Sequence, residues 1–204
     1  ANHDIVEDID RQSMNYRQLF TRCMVLMQLL PKSIKKGDHI GLLLPNMTSC
    51  VATFFALQAK GAVPAMLNYT MGETATRIAI ESAGLKTVLT SHRFVEAASL
   101  EEIITDMALH TNIIYLEDLR EHLNISHKLK ALFMVKFPSL GVKRLIKEVT
   151  PDDTAVILFT SGSEGIPKSV VLSHQNLLAN IEQVSSSVAL STHDICSNAL
   201  PMFH

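Results

Sequence analysis

The chain has 204 residues, of which 47% are hydrophobic and 19% charged, a balance that excludes an intrinsically disordered protein. Its 18 Lys and Arg residues against 20 Asp and Glu residues give a formal net charge of −2, so we expect no nucleic-acid partner. The three cysteines lie far apart, without the paired spacing of a zinc site or a disulfide framework, and we expect buried thiols.

Apolar spacing predicts helices alternating with short strands as far as residue 116. Leu19, Cys23, Leu26 and Leu30 recur at the helical period, and Pro31 ends the run. Strands are indicated where short apolar runs lie between turn residues. The predicted helices are 15–30, 50–60 (capped by Thr48 or Ser49 and ended by Gly61), 73–82 and 94–109, and the predicted strands are 39–44, 63–68, 87–90 and 113–116.

This alternation predicts an α/β fold of mostly parallel sheets flanked by helices on both faces, with ligands bound off the carboxyl ends of the strands. Residues 118–148 show no clean period, and we expect helical pieces and loop there. Within them, residues 129–146 are basic and apolar. We expect this stretch to pack under a loop, with contact to a membrane surface as the alternative.

Both ends of the sequence lead us to expect a fragment of a longer protein. The first residue is not methionine, and the last four, Pro201-Met202-Phe203-His204, lack the polar tail of a usual terminus. No stretch of about 18 uncharged apolar residues occurs, so we expect this portion of the chain to be soluble.

The strongest functional signal lies between residues 154 and 174. An apolar, β-branched run at 155–159 is typical of a strand buried on both faces, and the pattern becomes strand-like again at 169–172. Ser173 is then expected to cap a helix with Leu177, Leu178, Ile181, Val184 and Val188 on one side. The connection between the two strands is small and hydroxylated: Thr160, Ser161, Gly162, Ser163, Glu164 and Gly165, followed by Ile166, Pro167 and Lys168.

Phosphate binds to successive backbone N–H groups, to hydroxyls and to ammonium groups, and residues 160–168 supply all three. We therefore predict a phosphate-binding hairpin loop. The loop is not a Walker A motif, because Gly162 and Gly165 are three residues apart and Pro167 precedes Lys168. A polar turn without a ligand is the alternative, since Gly and Ser are common turn residues.

The ten residues from Phe159 to Lys168, FTSGSEGIPK, resemble the phosphate-binding signature of the adenylate-forming superfamily, which activates carboxylic acids with ATP as acyl adenylates. Leu44-Pro45-Asn46 and Pro201-Met202-Phe203-His204 are similar to further motifs of that superfamily. Residues 64–70 and 114–119, with the Ser-Glu-Gly form of the loop, more narrowly resemble the acyl-ACP synthetase domain of bacterial bifunctional 2-acylglycerophosphoethanolamine acyltransferase/acyl-ACP synthetases. One departure is Ser169, where the superfamily usually has Gly.

The resemblance implies roles for the matching residues. His204 would border the pocket for the acyl carboxylate and the adenylate. The superfamily's Mg²⁺-binding Glu, ribose-binding Asp and catalytic Lys belong to later segments, so no complete catalytic set and no metal ligand is expected here. We expect residues 1–204 to be part of the large N-terminal domain of an AMP-binding ligase, without the small C-terminal domain and inactive alone. The residues that would contact or cover the ATP β- and γ-phosphates are Thr160, Ser161, Gly162, Ser163, Glu164, Gly165 and Lys168.

For the whole protein, the resemblance implies ATP- and Mg²⁺-dependent ligation of a fatty acid to the phosphopantetheine thiol of acyl carrier protein. It also implies a linked acyltransferase that uses a lysophospholipid, on the cytoplasmic side of the bacterial inner membrane. Two alternatives stay open. One is a CoA ligase for fatty or aryl acids, because the loop does not report the thiol acceptor, and the other is a nucleotide-binding or interaction module without chemistry.

Overall fold

The computed structural model describes residues 3–137, 149–161, 167–189, 191 and 194–203. Most strands of the chain belong to one sheet, and this sheet positions the segments that the sequence singles out as functional. The strands are β1 (Asp4–Glu7), β2 (Ser13–Asn15), β3 (His39–Leu42), β4 (Val63–Met66), β5 (Thr87–Thr90), β6 (Asn112–Tyr115), β7 (Thr154–Ser161) and β8 (Pro167–Ser173).

In the described part of the chain, the main sheet has six strands in the order β6-β5-β3-β4-β7-β8. The first five are mutually parallel, and β8 pairs antiparallel with β7. The predicted α/β class with a mostly parallel sheet is confirmed. The carboxyl ends of the parallel strands therefore share one edge, and β8 starts at that same edge because it runs the other way.

Helices cover both faces of the sheet, as the sequence predicts. One face packs against α3 and α5 through Ala79, Ile80, Ile104 and Met107. The other packs against α2 through Cys50, Ala56 and Leu57, and α1 with α7 adds an outer layer. The helices are α1 (Tyr16–Leu29), α2 (Thr48–Lys60), α3 (Gly72–Ser82), α4 (His92–Ala97), α5 (Glu101–Ala108), α6 (Leu116–Glu121), α7 (Ile125–Lys136) and α8 (His174–Ser187).

The chain is tightly packed around Gly41 in β3. A Cβ atom on Gly41 would lie 2.9 Å from Val88 Cγ2 and 3.0 Å from Leu67 Cδ1, closer than packed carbon atoms tolerate. Gly61 ends α2 with φ of 77°, as predicted, because that left-handed conformation costs glycine little.

The single helix predicted over residues 94–109 is wrong, because the structure has two helices there. At about 100° per residue, Phe94 and Val95 would face nearly opposite to Leu100, Ile104 and Met107 in one continuous helix, yet all five are buried. The chain resolves this conflict at Ser99, whose φ of 51° turns the second helix toward the core.

The cap of α2 is also different from the prediction. The helix begins at Thr48 without a local side-chain cap. Instead, the carboxylate of Asp8, from the turn between β1 and β2, accepts hydrogen bonds of 3.1 Å from both the backbone N–H and the hydroxyl of Thr48. The β1–β2 hairpin, which the sequence pattern did not predict, thus supplies a cap from 40 residues away.

Helices α6 and α7 confirm the expectation of helical pieces after residue 116, while residues 138–148 lie outside the described part. Cys23 and Cys50 are buried as expected, but Cys196 is exposed, which corrects the expectation for the third thiol. No helix among the described residues has the length and apolarity needed to cross a bilayer.

Candidate functional site

The predicted phosphate-binding segment lies between β7 and β8, at the edge formed by the carboxyl ends of the parallel strands. The strands form the predicted antiparallel hairpin, in which Thr160 pairs with Lys168. Directly paired residues point to the same face of a sheet, so the Thr160 hydroxyl and the Lys168 ammonium group share one face, and both residues are exposed. Gly162, Ser163, Glu164, Gly165, the Ser161 side chain and His204 lie outside the described residues.

An apolar cavity of about 280 Å³ opens on the same face of the sheet. It is lined by Leu158, two residues before Thr160 on β7, and by Met202 from the final motif. Residues two apart on a strand point to the same side at a spacing of about 7 Å. Cationic and hydroxyl donors therefore stand beside an apolar cavity, an arrangement that suits a phosphate group linked to a hydrocarbon acid. The remaining walls come from Val51, Phe54, Phe55, Met66, Val156 and Leu177.

Asn46 joins two of the motifs noted in the sequence. Its side-chain amide donates a 2.7 Å hydrogen bond to the carbonyl of Leu200, and its Oδ1 accepts one of 2.7 Å from the backbone N–H of Met202. The amide thus uses both of its functions to hold residues 200–202 against the end of β3. Sequence reasoning recognised both motifs but not this contact, because the two are separated by more than 150 residues.

Tyr69 joins the third motif to the same place. Its ring makes edge contacts with Phe203 (centroids 5.2 Å apart) and with Phe94 (5.1 Å). Phe203 is buried, so the final motif reaches into the core at this edge. Residues 44–46, 64–70 and 201–203, which are remote in sequence, therefore converge beside the hairpin.

Ser169, the departure from the superfamily pattern, has a definite contact. Its hydroxyl lies 2.8 Å from the hydroxyl of Ser82 at the end of α3, so one donates a hydrogen bond to the other. Ser169 pairs with Phe159 and points to the face opposite Lys168. This bond ties the start of β8 to α3.

A polar cluster that the sequence did not predict lies at the same edge, after β5 and β6. Glu117 accepts hydrogen bonds from the Ser91 hydroxyl (2.6 Å) and the His92 backbone N–H (3.2 Å). Burial works to raise the pKa of Glu117, but these hydrogen bonds outweigh it and hold the pKa below its ordinary value. His92 also stacks on Tyr115 at 3.6 Å and contacts Asp118 at 2.9 Å. The cluster fastens the end of β5 to α6.

A larger cavity, of about 530 Å³, lies elsewhere, between α1, α2, residues 149–151 and the start of α8. It shares Gln58, Val149 and His174 with a polar cavity of about 220 Å³. His39, Val63 and Thr154, at the starts of their strands, line that polar cavity, so both cavities belong to the edge opposite the hairpin. In the described part of the chain, no group of three or more His, Cys, Asp or Glu residues could hold a metal ion.

Comparison with protein families gives a match over nearly the whole chain: the model described as AMP-binding enzyme covers residues 2–204. Among curated proteins, an acyl-CoA ligase of Ajellomyces capsulatus is 28% identical over 86% of this chain and 31% of its own length. A long-chain-fatty-acid–CoA ligase of Escherichia coli is 24% identical over 94% of this chain and 38% of its own length. The chain thus spans about a third of the length of these relatives.

Solved structures show the same fold. The o-succinylbenzoate CoA synthetase of Bacillus subtilis, in complex with its acyl-adenylate intermediate, aligns with a TM-score of 0.74 at 21% identity, over 95% of this chain and 45% of that one. The same enzyme in complex with ATP and magnesium ion aligns with a TM-score of 0.73 at 20% identity, over 95% of this chain and 46% of that one.

Proposed function

Because the chain belongs to the AMP-binding enzyme family, we propose that it is the phosphate-binding portion of an ATP-dependent ligase that converts a fatty acid into an acyl adenylate. The ligase then passes the acyl group to the phosphopantetheine thiol of acyl carrier protein, in the recycling of phospholipid acyl chains. For the whole protein, we also propose a linked acyltransferase that uses a lysophospholipid. We propose that the whole protein is located at the cytoplasmic side of the inner membrane.

The observation that carries this proposal is the pairing of Thr160 with Lys168 beside an apolar cavity. In adenylate formation, a carboxylate oxygen attacks the α-phosphorus of ATP, and the bond from that phosphorus to the leaving pyrophosphate breaks. Negative charge develops on the pyrophosphate, and a hydroxyl with an ammonium group stabilises it. Among the described residues, Lys168 takes part in none of the ion pairs within 4.0 Å.

The proposed contacts with the triphosphate extend the observed pair along the loop. We assign Thr160, Ser161, Gly162, Ser163, Glu164, Gly165 and Lys168 to the β- and γ-phosphates, and His204 to the acyl and adenylate pocket. Mg²⁺ would supply further charge on the phosphate oxygens. The resemblance implies that the Mg²⁺-binding Glu belongs to a later segment, so we propose no magnesium ligand among residues 1–204.

A CoA ligase is the second candidate, and the relatives favour it. The names of the curated relatives are those of acyl-CoA and long-chain-fatty-acid–CoA ligases. Support for acyl carrier protein comes from the narrower motifs at residues 64–70 and 114–119. The residues at the hairpin act on ATP and do not contact the thiol, so they leave both acceptors open.

The test is acid-dependent exchange of pyrophosphate into ATP by the full-length protein. The acyl carrier protein ligase requires exchange with a fatty acid and the CoA ligase requires it with a fatty or aryl acid, whereas a binding module without chemistry gives ATP binding but no exchange. Addition of acyl carrier protein carrying its phosphopantetheine, or of CoA, then separates the two acceptors by the thioester that forms. Absence of exchange with every acid would overturn the ligase proposal.

A further inference from the structure

Helix α7 turns an apolar surface away from the protein. Leu129 and Phe133 have 61% and 56% of their surface exposed, and Ile125, Leu132 and Phe137 are exposed as well. Large apolar side chains in such a contiguous group on one helix are unusual at a free protein surface and indicate an interaction site. This position differs from the predicted packing under a loop, at least for the described residues of the segment.

The exposure does not come from a loosely attached helix. Ala131 on the inner side is fully buried against Cys23 and Met24 of α1. Gln28 of α1 donates a 3.3 Å hydrogen bond to the carbonyl of His127, in the first turn of α7. The helix is therefore fixed by one side, and its outward side is set by the packing.

The outward residues form one strip along the helix. At about 100° per residue, Ile125, Leu129, Leu132 and Phe133 fall within an arc of roughly 100°, opposite Ala131. Phe133 contacts Phe137 with ring centroids 5.0 Å apart, which extends the strip past the last turn. An apolar strip of this width is what a helix lying along a surface would insert.

Positive charges border this strip. By the same geometry, Lys128 lies on one side of it and Lys130 on the other, while Lys136 lies within it at the last turn. The Lys136 ammonium group is 5.8 Å from the centre of the Phe137 ring, so this cation lies next to an apolar side chain. An apolar strip between lysines matches the boundary between the acyl chains and the anionic headgroups of a bilayer.

The excess of positive charge around α7 contrasts with the negative net charge of the whole chain. Residues 122–147 contain six Lys and Arg residues and no Asp or Glu. Since the formal charge of the chain is −2, the remainder carries −8. Three of the six cations, at positions 143, 144 and 147, lie outside the described residues, so the surface is defined by Lys128, Lys130 and Lys136 alone.

We propose that the outward face of α7, formed by Ile125, Leu129, Leu132, Phe133 and the three lysines, docks on an anionic lipid bilayer. An acidic protein would satisfy the lysines but not the apolar strip between them, and an apolar protein partner would leave the lysines without counter-charges. A bilayer with anionic headgroups attracts the lysines through its headgroups. It also buries the apolar strip at the depth that a helix lying in the interface reaches. The proposal deepens the membrane location proposed above for the whole protein, but it does not rest on the ligase activity.

The test is co-sedimentation of the 204-residue chain with vesicles of phosphatidylglycerol and phosphatidylcholine in about equal parts. We expect binding to these vesicles, weak binding to phosphatidylcholine alone, and a loss in about 1 M NaCl, where the Debye length falls to about 3 Å. Removing one lysine is expected to lower the partition coefficient about fivefold, which corresponds to about 1 kcal/mol of attraction. The triple variant Lys128→Gln/Lys130→Gln/Lys136→Gln is therefore expected to lower the partition coefficient roughly a hundredfold.

The apolar strip is tested by Leu129→Gln/Phe133→Gln, with a matched control on another helix. Leu178 and Ile181 of α8 have 60% and 59% of their surface exposed, so Leu178→Gln/Ile181→Gln removes equally exposed apolar residues. Lys32→Gln/Lys35→Gln/Lys86→Gln removes three exposed lysines outside α7. Circular dichroism confirms that each variant is folded. The α7 variants are expected to lose binding, and both controls are expected to retain it.

Three results overturn the proposal: no binding of the unaltered chain to anionic vesicles, equal losses in the α7 variants and their controls, or binding that the α7 variants do not change. Sedimentation without lipid tests whether a second copy of the chain, rather than a bilayer, binds the outward face of α7. Self-association that the α7 variants abolish, together with no vesicle binding, would assign the face to a dimer instead.

Discussion

Lys168 and Thr160 are the described residues on which the nucleotide proposal depends. Lys168→Ala in the full-length protein removes the ammonium group from the pyrophosphate-facing side of the hairpin. We expect acid-dependent pyrophosphate exchange to fall roughly ten- to a hundredfold, because charge on the leaving group is then less well stabilised. The control is Lys86→Ala, an exposed lysine at the opposite edge of the sheet, just before β5. Unchanged exchange in the Lys168 variant would remove this residue from the mechanism.

Asp8 makes a prediction about pH. Burial works to raise its pKa, but hydrogen bonds from Thr48, Gln12 and Asp10 prevail and hold the pKa below its ordinary value. The folded state therefore keeps the carboxylate charged at lower pH than the unfolded state does. The stabilisation is complete above the unfolded pKa of about 3.9 and is lost as the pH falls through the folded pKa.

We accordingly expect Asp8→Asn to lower the free energy of unfolding by about 1.5–3 kcal/mol at pH 7, the usual range for a hydrogen bond to a charged group. The difference between the two proteins should shrink as the pH falls below about 4. Urea titrations at pH 7 and pH 3 measure both values. A difference that is the same at the two pH values would contradict the assignment of the cap to the charged carboxylate.

At the scale of elements, the bond between β8 and α3 can be measured by itself. The Ser169 and Ser82 hydroxyls are exposed, so we expect a coupling energy of about 0.5 kcal/mol in a double-mutant cycle of Ser169→Ala and Ser82→Ala. Urea unfolding of the four proteins gives this value. Additive effects would show that the hydroxyl contact contributes nothing to stability, and Ser169→Gly then reports the effect of backbone freedom alone.

The elements that the sequence predicts well are those in which local pattern and tertiary packing agree. The bounds of Thr87–Thr90 match the prediction, and α1 begins where Asn15 caps it. The prediction of one helix over residues 94–109 is wrong because the helical spacing of the sequence continues through Ser99. The buried side chains, however, would lie on different sides of a single helix before and after that residue. The cap of α2 could not be found locally, since its acceptor, Asp8, belongs to another element.

At the scale of the whole molecule, the sequence predicts the segments that form the site but not that they lie next to one another in the fold. The loop, the strand before it and the edge on which it lies follow from residues 154–173. The convergence of Asn46, Tyr69 and Phe203 depends on contacts across the sheet, which no local pattern encodes. Only resemblance to a family could indicate that these separate motifs belong to one place.

The Asn46 contact yields a prediction at this scale. Asn46→Ala removes both bonds to residues 200–202, so we expect the Met202 amide proton to exchange faster with solvent. Each lost bond is expected to lower stability by about 1 kcal/mol. Amide hydrogen exchange followed by mass spectrometry measures the first effect. Asn180→Ala, an exposed amide on α8, is the control and should leave exchange near Met202 unchanged.

The three thiols differ in burial, so the unaltered chain can be labelled selectively at one cysteine. Burial raises the pKa of Cys23 and of Cys50 to about 12, so both resist alkylation in the folded chain, while Cys196 is open to solvent. A maleimide dye should therefore attach once per native molecule and three times after unfolding. Because Cys196 lies a few residues before the segment held by Asn46, we expect the fluorescence of such a dye to change when ATP binds at the hairpin.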